Sequence, residues 1–158
     1  MHKVEIRVAQ ARDIERLNDL MFRLHDEHHN QCSEHFKAAE EIEQEKSIAR
    51  YLDDPECIVL VASSQQQVVG FVSGHFCELI SSVSKPVQMG SVDELYVLPE
   101  CRKLGIAKQL CESIEQRFDD YGVKQIFVEV WNFNSVALNF YKEVGFEHHI
   151  HWLRKPVG

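Results

Sequence analysis

Cysteine is sparse and unpatterned. Five cysteines stand at positions 32, 57, 77, 101 and 111, an odd number with no C-x-x-C pair, so no disulfide framework is expected and the thiols should be reduced. Long apolar runs are missing too. The longest, Cys57 to Ala62, is too short to span a bilayer, and Met1 to Gln10 carries both charge signs without an apolar signal region. The expectation is a soluble, cytoplasmic protein with no membrane partner. Basic charge is in short supply: 17 Lys and Arg stand against 25 Asp and Glu, a formal net charge of −8. Binding a phosphate backbone needs a broad basic surface, so no nucleic acid is expected as partner. The same acidity leaves a cationic substrate open, although solubility alone also accounts for it. No repeat, low-complexity tract or linker divides the chain.

What remains is ordinary globular material. With 44% apolar and 27% charged residues, 158 residues suffice for one compact domain spanning 1–158. Val4 to Val8 alternates like a strand, and Asp13 is placed to cap a helix with the apolar stripe Ile14, Leu17, Leu20, Met21 and Leu24. From His25 to Ala39 the pattern lapses. A second helix is expected from about Glu40 to Leu52, ending at Asp53-Asp54-Pro55. Cys57 to Ser63 and Val68 to Leu79 read as a hairpin across the polar Ser64–Gln67 turn, followed by an irregular loop from Ile80 to Gly90. The order then runs strand Val92 to Leu98, helix Gly105 to Tyr121, strand Gln125 to Trp131, helix Ser135 to Val144 and strand Phe146 to Leu153. That order predicts an α/β layered domain. A crossover helix makes its two flanking strands parallel, which brings the Leu98–Ala107 turn and Asn134 to the same carboxyl ends.

The stretch VDELYVLPECRKLGIA, Val92 to Ala107, carries the most chemistry. Gly105 and Ala107 are small enough to let an anion approach the main chain, and Arg102 and Lys103 add positive charge at the same edge. The helix that follows, with Ile106, Ala107, Leu110, Cys111, Ile114, Phe118 and Tyr121 at helical spacing and Gly122 as a stop, leaves its first N–H groups unpaired. A diphosphate satisfies both those donors and the partial positive charge of the helix end. An ordinary strand-to-helix turn with two surface cations satisfies the same pattern.

Arg102 to Ala107, R-x-x-G-x-A, resembles the acetyl-CoA signature Q/R-x-x-G-x-G/A of the GNAT N-acetyltransferases, and Leu95, Val97 and Pro99 fit the L-x-V-x-P pattern that precedes it. A second block, EVWNFNSVALNFYKEVGF from Glu129 to Phe146, resembles the family's strand, N-x-x-A-x-x-x-Y helix and G-F, with Asn134, Ala137, Tyr141, Gly145 and Phe146 in register. Two blocks in the right order are far more specific than one glycine turn. The resemblance covers Val4 to about Leu153, weakly between His25 and Asp54. It implies the GNAT fold: a mixed, mostly antiparallel sheet, a splayed parallel central pair of strands and helices on both faces. Two departures stand out, Lys103 where glycine is frequent and Ala107 in place of the last glycine.

The activity that the resemblance implies is direct transfer of an acetyl group from acetyl-CoA to an amine. It places the cofactor against Leu95, Tyr96 and Val97, against Arg102, Lys103, Leu104, Gly105, Ile106 and Ala107, and against Asn134, Ala137 and Tyr141. An alkylammonium with a pKa near ~10.4 leaves roughly one amine in a thousand free at neutral pH, so a base is needed. Asp93 and Glu94 are the candidates; strand alternation puts them on opposite faces, and similarity to polyamine acetyltransferases makes Asp93 the closer counterpart. A water chain is the alternative. Tyr141 matches the family tyrosine that protonates the departing thiolate, and it also belongs to the apolar stripe Val136, Ala137, Phe140, Tyr141 and Val144. The acetyl carbonyl is expected to meet a backbone N–H near Val97, while Asn134 bonds the pantetheine arm, caps its helix, or both.

His25, His28 and His29 have spacings that share one helix face, with His35 following, which raises a zinc site. Without H-E-x-x-H, and with surface histidines common, no metal is expected. Glutamates 34, 40, 41, 43 and 45 are a solvated face or an attraction for a polyamine-like or aminoglycoside-like cation, and His148 to Trp152 a pocket wall or dimer contact. The expected protein is an N-acetyltransferase for a small-molecule primary amine. A protein N-terminal or lysine acetyltransferase and a silent CoA-binding module are the competitors, and the family analogy allows a homodimer.

Overall fold

A computed structural model describes residues 3–79 and 81–158. The chain divides into two units, one up to Val128 and one from Glu129. The first unit is a five-stranded sheet with order β1-β2-β3-β4-β5: β1 Val4–Val8, β2 Cys57–Ser64, β3 Gln67–Leu79, β4 Val87–Val97 and β5 Gln125–Val128. Neighbours are antiparallel except β4 and β5, which are parallel and joined through helix α4, Ile106–Asp120. This is the expected layered, mostly antiparallel mixed sheet. The β2–β3 hairpin closes where expected, with Gln65 and Gln66 both at positive φ (53° and 67°), the geometry that matches a two-residue turn to strand twist.

Helices cover both faces. Gly74 and Gly90 lie beneath Phe118 of α4, so close that a Cβ at Gly90 would stand 2.7 Å from the ring. Ser73, one residue from Gly74, faces the other way, toward α1 (Ile14–Gln31), α2 (Ala39–Glu45) and α3 (Ile48–Asp53). On α1 the residues Leu17, Leu20, Met21 and Leu24 are buried, and on α4 Ile106, Leu110, Cys111, Ile114 and Phe118 are. Both stripes match the apolar spacing of the sequence.

The departures have local causes. Helix α1 continues through the histidines to Gln31, since each added residue extends an already nucleated helix by one backbone hydrogen bond. The single helix expected from Glu40 to Leu52 is two, broken at Lys46 and Ser47, whose backbone is extended. Asp13 does not cap α1. Its carboxylate accepts the Gln10 N–H (2.8 Å) and a fork from Arg7 (2.8 and 3.0 Å), closing the turn that precedes the helix. Strand β4 begins at Val87, inside the expected loop, since β3 supplies a ladder partner as far as Leu79; Ile80, the loop's first residue, lies outside the described residues.

In the second unit α5, Ser135–Glu143, starts at Asn134, whose Oδ1 accepts the Ala137 N–H at 3.1 Å. The strand expected to reach Trp131 ends at Val128, and residues 146–153 form no strand. A strand requires a ladder for its N–H and C=O groups, and among the described residues this stretch has none; Ile150, Trp152 and Leu153 stand exposed.

Candidate active site

The parallel pairing of β4 with β5 runs only from Met89 to Val92. Beyond it, among the described residues, β4 has β3 on one side and no strand on the other. Leu98 N–H bonds Val69 O at 2.9 Å, so alternation along an antiparallel pair turns the Leu95 and Val97 peptide groups to the unpaired edge. This is the opening expected of a splayed central pair. At its far end Pro99–Cys101 forms one 3-10 turn, Lys103 has φ 66° and Gly105 has φ 81°, after which α4 begins at Ile106. A left-handed residue there suits glycine, and a Cβ at Gly105 would meet nothing within 4 Å. The Gln109 N–H closes the first turn on Gly105 O (3.1 Å), so the N–H groups of Ile106, Ala107 and Lys108 precede the helical ladder.

Arg102 occupies a different place from the one its charge suggests. Its Nε donates to Val97 O (2.8 Å), its guanidinium reaches Glu27 (3.0 Å) and stacks on Tyr96 (5.2 Å to the ring centroid). It ties the turn back to β4 and α1. Lys103, Leu104 and Gly105 are exposed, Ile106 is core and Ala107 is half-buried.

Asp93 and Glu94 do not alternate. The register pairs Gly74 with Val92 and Ser73 with Glu94, leaving Asp93 as an extra residue opposite their junction. Such a bulge brings two consecutive side chains to one face. Both carboxylates accordingly enter one network. Asp93 accepts from His75 Nδ1 (2.6 Å), Tyr51 Oη (3.1 Å) and Ser91 Oγ (2.9 Å), while Glu94 accepts from Ser73 Oγ and pairs with Lys46, whose Nζ lies 5.5 Å from the centroid of the Tyr51 ring. The expectation of opposite faces is thus corrected. Burial, with Glu94 and Asp93 close by, pushes the Tyr51 phenol far above its ordinary pKa, so it stays a donor. Burial likewise raises the Cys57 thiol, to about 11.

Tyr51, His75, Lys46, Ser73 and Ser91 were not anticipated from sequence. They come from α3, β3, the α2–α3 break and β4, with no common spacing. A histidine within the apolar run of β3 was the one available signal.

His25 lies beside a cleft lined by Asn18, Met21, Phe22, Ala39, Ile42 and Lys46. Among the described residues its buried Nε2 has no hydrogen-bond partner, and desolvation lowers its pKa, as it does for His28. Among the described residues no three of His25, His28, His29 and His35 bring ligand atoms together, although the His25 and His28 rings lie 6.4 Å apart. Instead Cys32, Glu34 and His35 bring ligand atoms within 4.8 Å of one another, while His29 Nδ1 lies 2.9 Å from Phe36 O. In the second unit Tyr141 is buried against Phe140 (5.3 Å) and Phe146 (5.4 Å), and Asn134 caps its helix.

An open central strand edge running into a glycine turn at a helix N-terminus is an arrangement able to hold an extended, anion-bearing ligand. The model of the Acetyltransferase (GNAT) family matches residues 18–146, and the chain belongs to that family. An acetyltransferase from Vibrio fischeri is 56% identical, with 81% of this chain and 97% of that chain covered and a TM-score of 0.68. An N-alpha-acetyltransferase from Sulfurisphaera tokodaii is 30% identical over 101 residues, 61% of this chain; the match takes in 60% of that protein's length. An aminoglycoside N-acetyltransferase solved with CoA shares the fold, at 16% identity and a TM-score of 0.76 over 99% of this chain and 97% of that one.

Proposed function

We propose that the chain, acting as one domain over residues 1–158, transfers the acetyl group of acetyl-CoA directly to a primary amine of a small, polyamine-like cation. The observation that carries this reading is the unpaired edge of β4 beyond Val92 running into the Gly105 turn. The Leu95 and Val97 peptide groups suit a pantetheine arm and the acetyl carbonyl, and the amides around Leu104 to Ala107 suit the diphosphate. Acetyl-CoA supplies an activated acyl group; the protein orients it and removes the amine's proton. The aminoglycoside enzyme solved with CoA is in keeping with that donor. Exposed Glu40, Glu41, Glu43 and Glu45 on α2 favour a cationic acceptor. Tyr141 is proposed as the acid for the thiolate, and Asn134 and Ala137 as cofactor contacts, on their places in the N-x-x-A-x-x-x-Y motif. Free thiols at all five cysteines suit the cytoplasm, and a homodimer follows by family analogy.

A second reading, acetylation of a protein N-terminus, draws on the relative named N-alpha-acetyltransferase. CoA release from acetyl-CoA, followed across polyamines, aminoglycosides and peptides, tests both. Turnover with small amines alone supports the first reading, and turnover with peptides alone supports the second. Thermal stabilisation by acetyl-CoA without thiol release from any acceptor would mean a silent CoA-binding module.

A further inference from the structure

Both carboxylates at the β4 bulge are already engaged. Asp93 accepts from three donors, and Glu94 is held by a lysine and a serine hydroxyl. Neither is placed to collect a proton from an incoming ammonium. The ring attached to Asp93 is. His75 lies on β3 opposite Ser91, with its Nδ1 2.6 Å from Asp93 Oδ2 and its side chain 38% exposed, against 15% for Asp93. A carboxylate only accepts, so Nδ1 must be the protonated nitrogen of the neutral imidazole. Among the described residues no hydrogen bond engages Nε2. The carboxylate is therefore the inner partner and the ring the outer one.

We infer that His75 is the general base of the transferase, with Asp93 as its positioning residue, an inference that rests on the proposed acetyl transfer. Nε2 takes a proton from the substrate ammonium. The freed nitrogen lone pair forms the C–N bond to the acetyl carbonyl carbon, and the C–S bond breaks. Sulfur leaves with that electron pair and takes up the second proton, which the acylated nitrogen loses as the amide forms, to give the CoA thiol; the first proton passes from Nε2 to solvent. Asp93 follows Ser91 by plain alternation onto the face of His75, and the bulge turns Glu94, with its partner Lys46, to that same face. Asp93 fixes tautomer and ring orientation, and stabilises the imidazolium that forms. Tyr51 from α3 and Ser91 on β4 keep Asp93 from rotating away, and on β2 Cys57 is paired with His75 with its thiol held protonated near neutrality.

Long-range nitrogen-15 NMR on the free protein, at an alkaline pH where imidazoles are neutral, reads the tautomer directly, with the His75 signals assigned by their loss in His75→Gln. Nδ1 protonated in the native protein and a reversed or mixed tautomer in Asp93→Asn are expected; Nε2 protonated in the native protein overturns the inference. In turnover with an amine from the panel, His75→Gln and His75→Asn should each lower kcat about 100-fold or more, with acetyl-CoA affinity within about twofold and native melting behaviour. If both variants keep rates within about threefold of native, the base role is wrong while the transferase stands. If no amine or peptide is acetylated by the native protein, the transferase reading fails and the base role fails with it.

Discussion

Lys46→Met isolates the ion pair that anchors the α2–α3 break to β4. Glu94 has 4% of its side chain exposed, so without Lys46 its carboxylate keeps only the Ser73 hydroxyl and the Ser73 Oγ–Glu94 N–H contact (3.1 Å) that orients it. Breaking a fully buried pair costs about 3–5 kcal/mol, because the surviving charge is left uncompensated. Here Lys46 is 35% exposed, so water partly screens the pair and can reach the survivor; the expected loss is about 1.5–3 kcal/mol. Glu94→Gln should cost less, about 1 kcal/mol, since Lys46 can turn to solvent and the amide still accepts from Ser73. The double variant should then recover about 1 kcal/mol or more relative to the sum of the singles. Urea unfolding followed by far-UV circular dichroism is the suitable assay, because both tryptophans, Trp131 and Trp152, lie in the second unit. A Lys46→Met unfolding free energy within about 0.5 kcal/mol of native, or strict additivity, would refute the claim that Glu94 is a buried charge held by Lys46.

Tyr141→Phe should lower turnover while leaving acetyl-CoA affinity nearly intact, and an unchanged kcat removes its proposed acid role. Burial lowers the pKa of His25 and His28, so on acidification the unfolded chain binds protons first; stability is full above about pH 6.5 and declines below it. His25→Gln should flatten that decline in urea midpoints measured across about pH 5 to 7.5, and an identical slope would rule His25 out as its source. Gly90→Ala should destabilise by about 1–3 kcal/mol through overpacking against Phe118, with partial rescue by Phe118→Leu. A Gly90→Ala protein as stable as the native one would show that the ring can move.

The sequence exposed whatever repeats locally. Apolar periodicity located α1 and α4, the Ser64–Gln67 hairpin turn came from its polar break, and the Gly105 turn came from a motif whose glycine sits at φ 81°. Periodicity was silent where tertiary contacts decide. The break at Lys46 and Ser47 is not a helix-stop composition; Lys46 leaves the helical path and pairs with Glu94, 48 residues away. Arg102 looked like a phosphate cation, yet Glu27, 75 residues distant, and the Val97 carbonyl claim it. Residues 146–153 carry strand-like composition, but composition supplies no ladder.

The consequential miss was one residue of register. Strict alternation along β4 assigns Asp93 and Glu94 to opposite faces and forces a choice between them as base. The bulge at Asp93 dissolves that choice, because both carboxylates turn to the face covered by α3 and the α2–α3 break. Two adjacent acids in one half-buried place repel unless each has its own donors, and each does: His75, Tyr51 and Ser91 for one, Lys46 and Ser73 for the other. Five side chains from four segments thus serve to keep two charges apart and satisfied. Of the five, His75 alone can accept a proton while its own bond to the carboxylate is kept, and that asymmetry, invisible to any spacing rule, is what marks a base within a structural network.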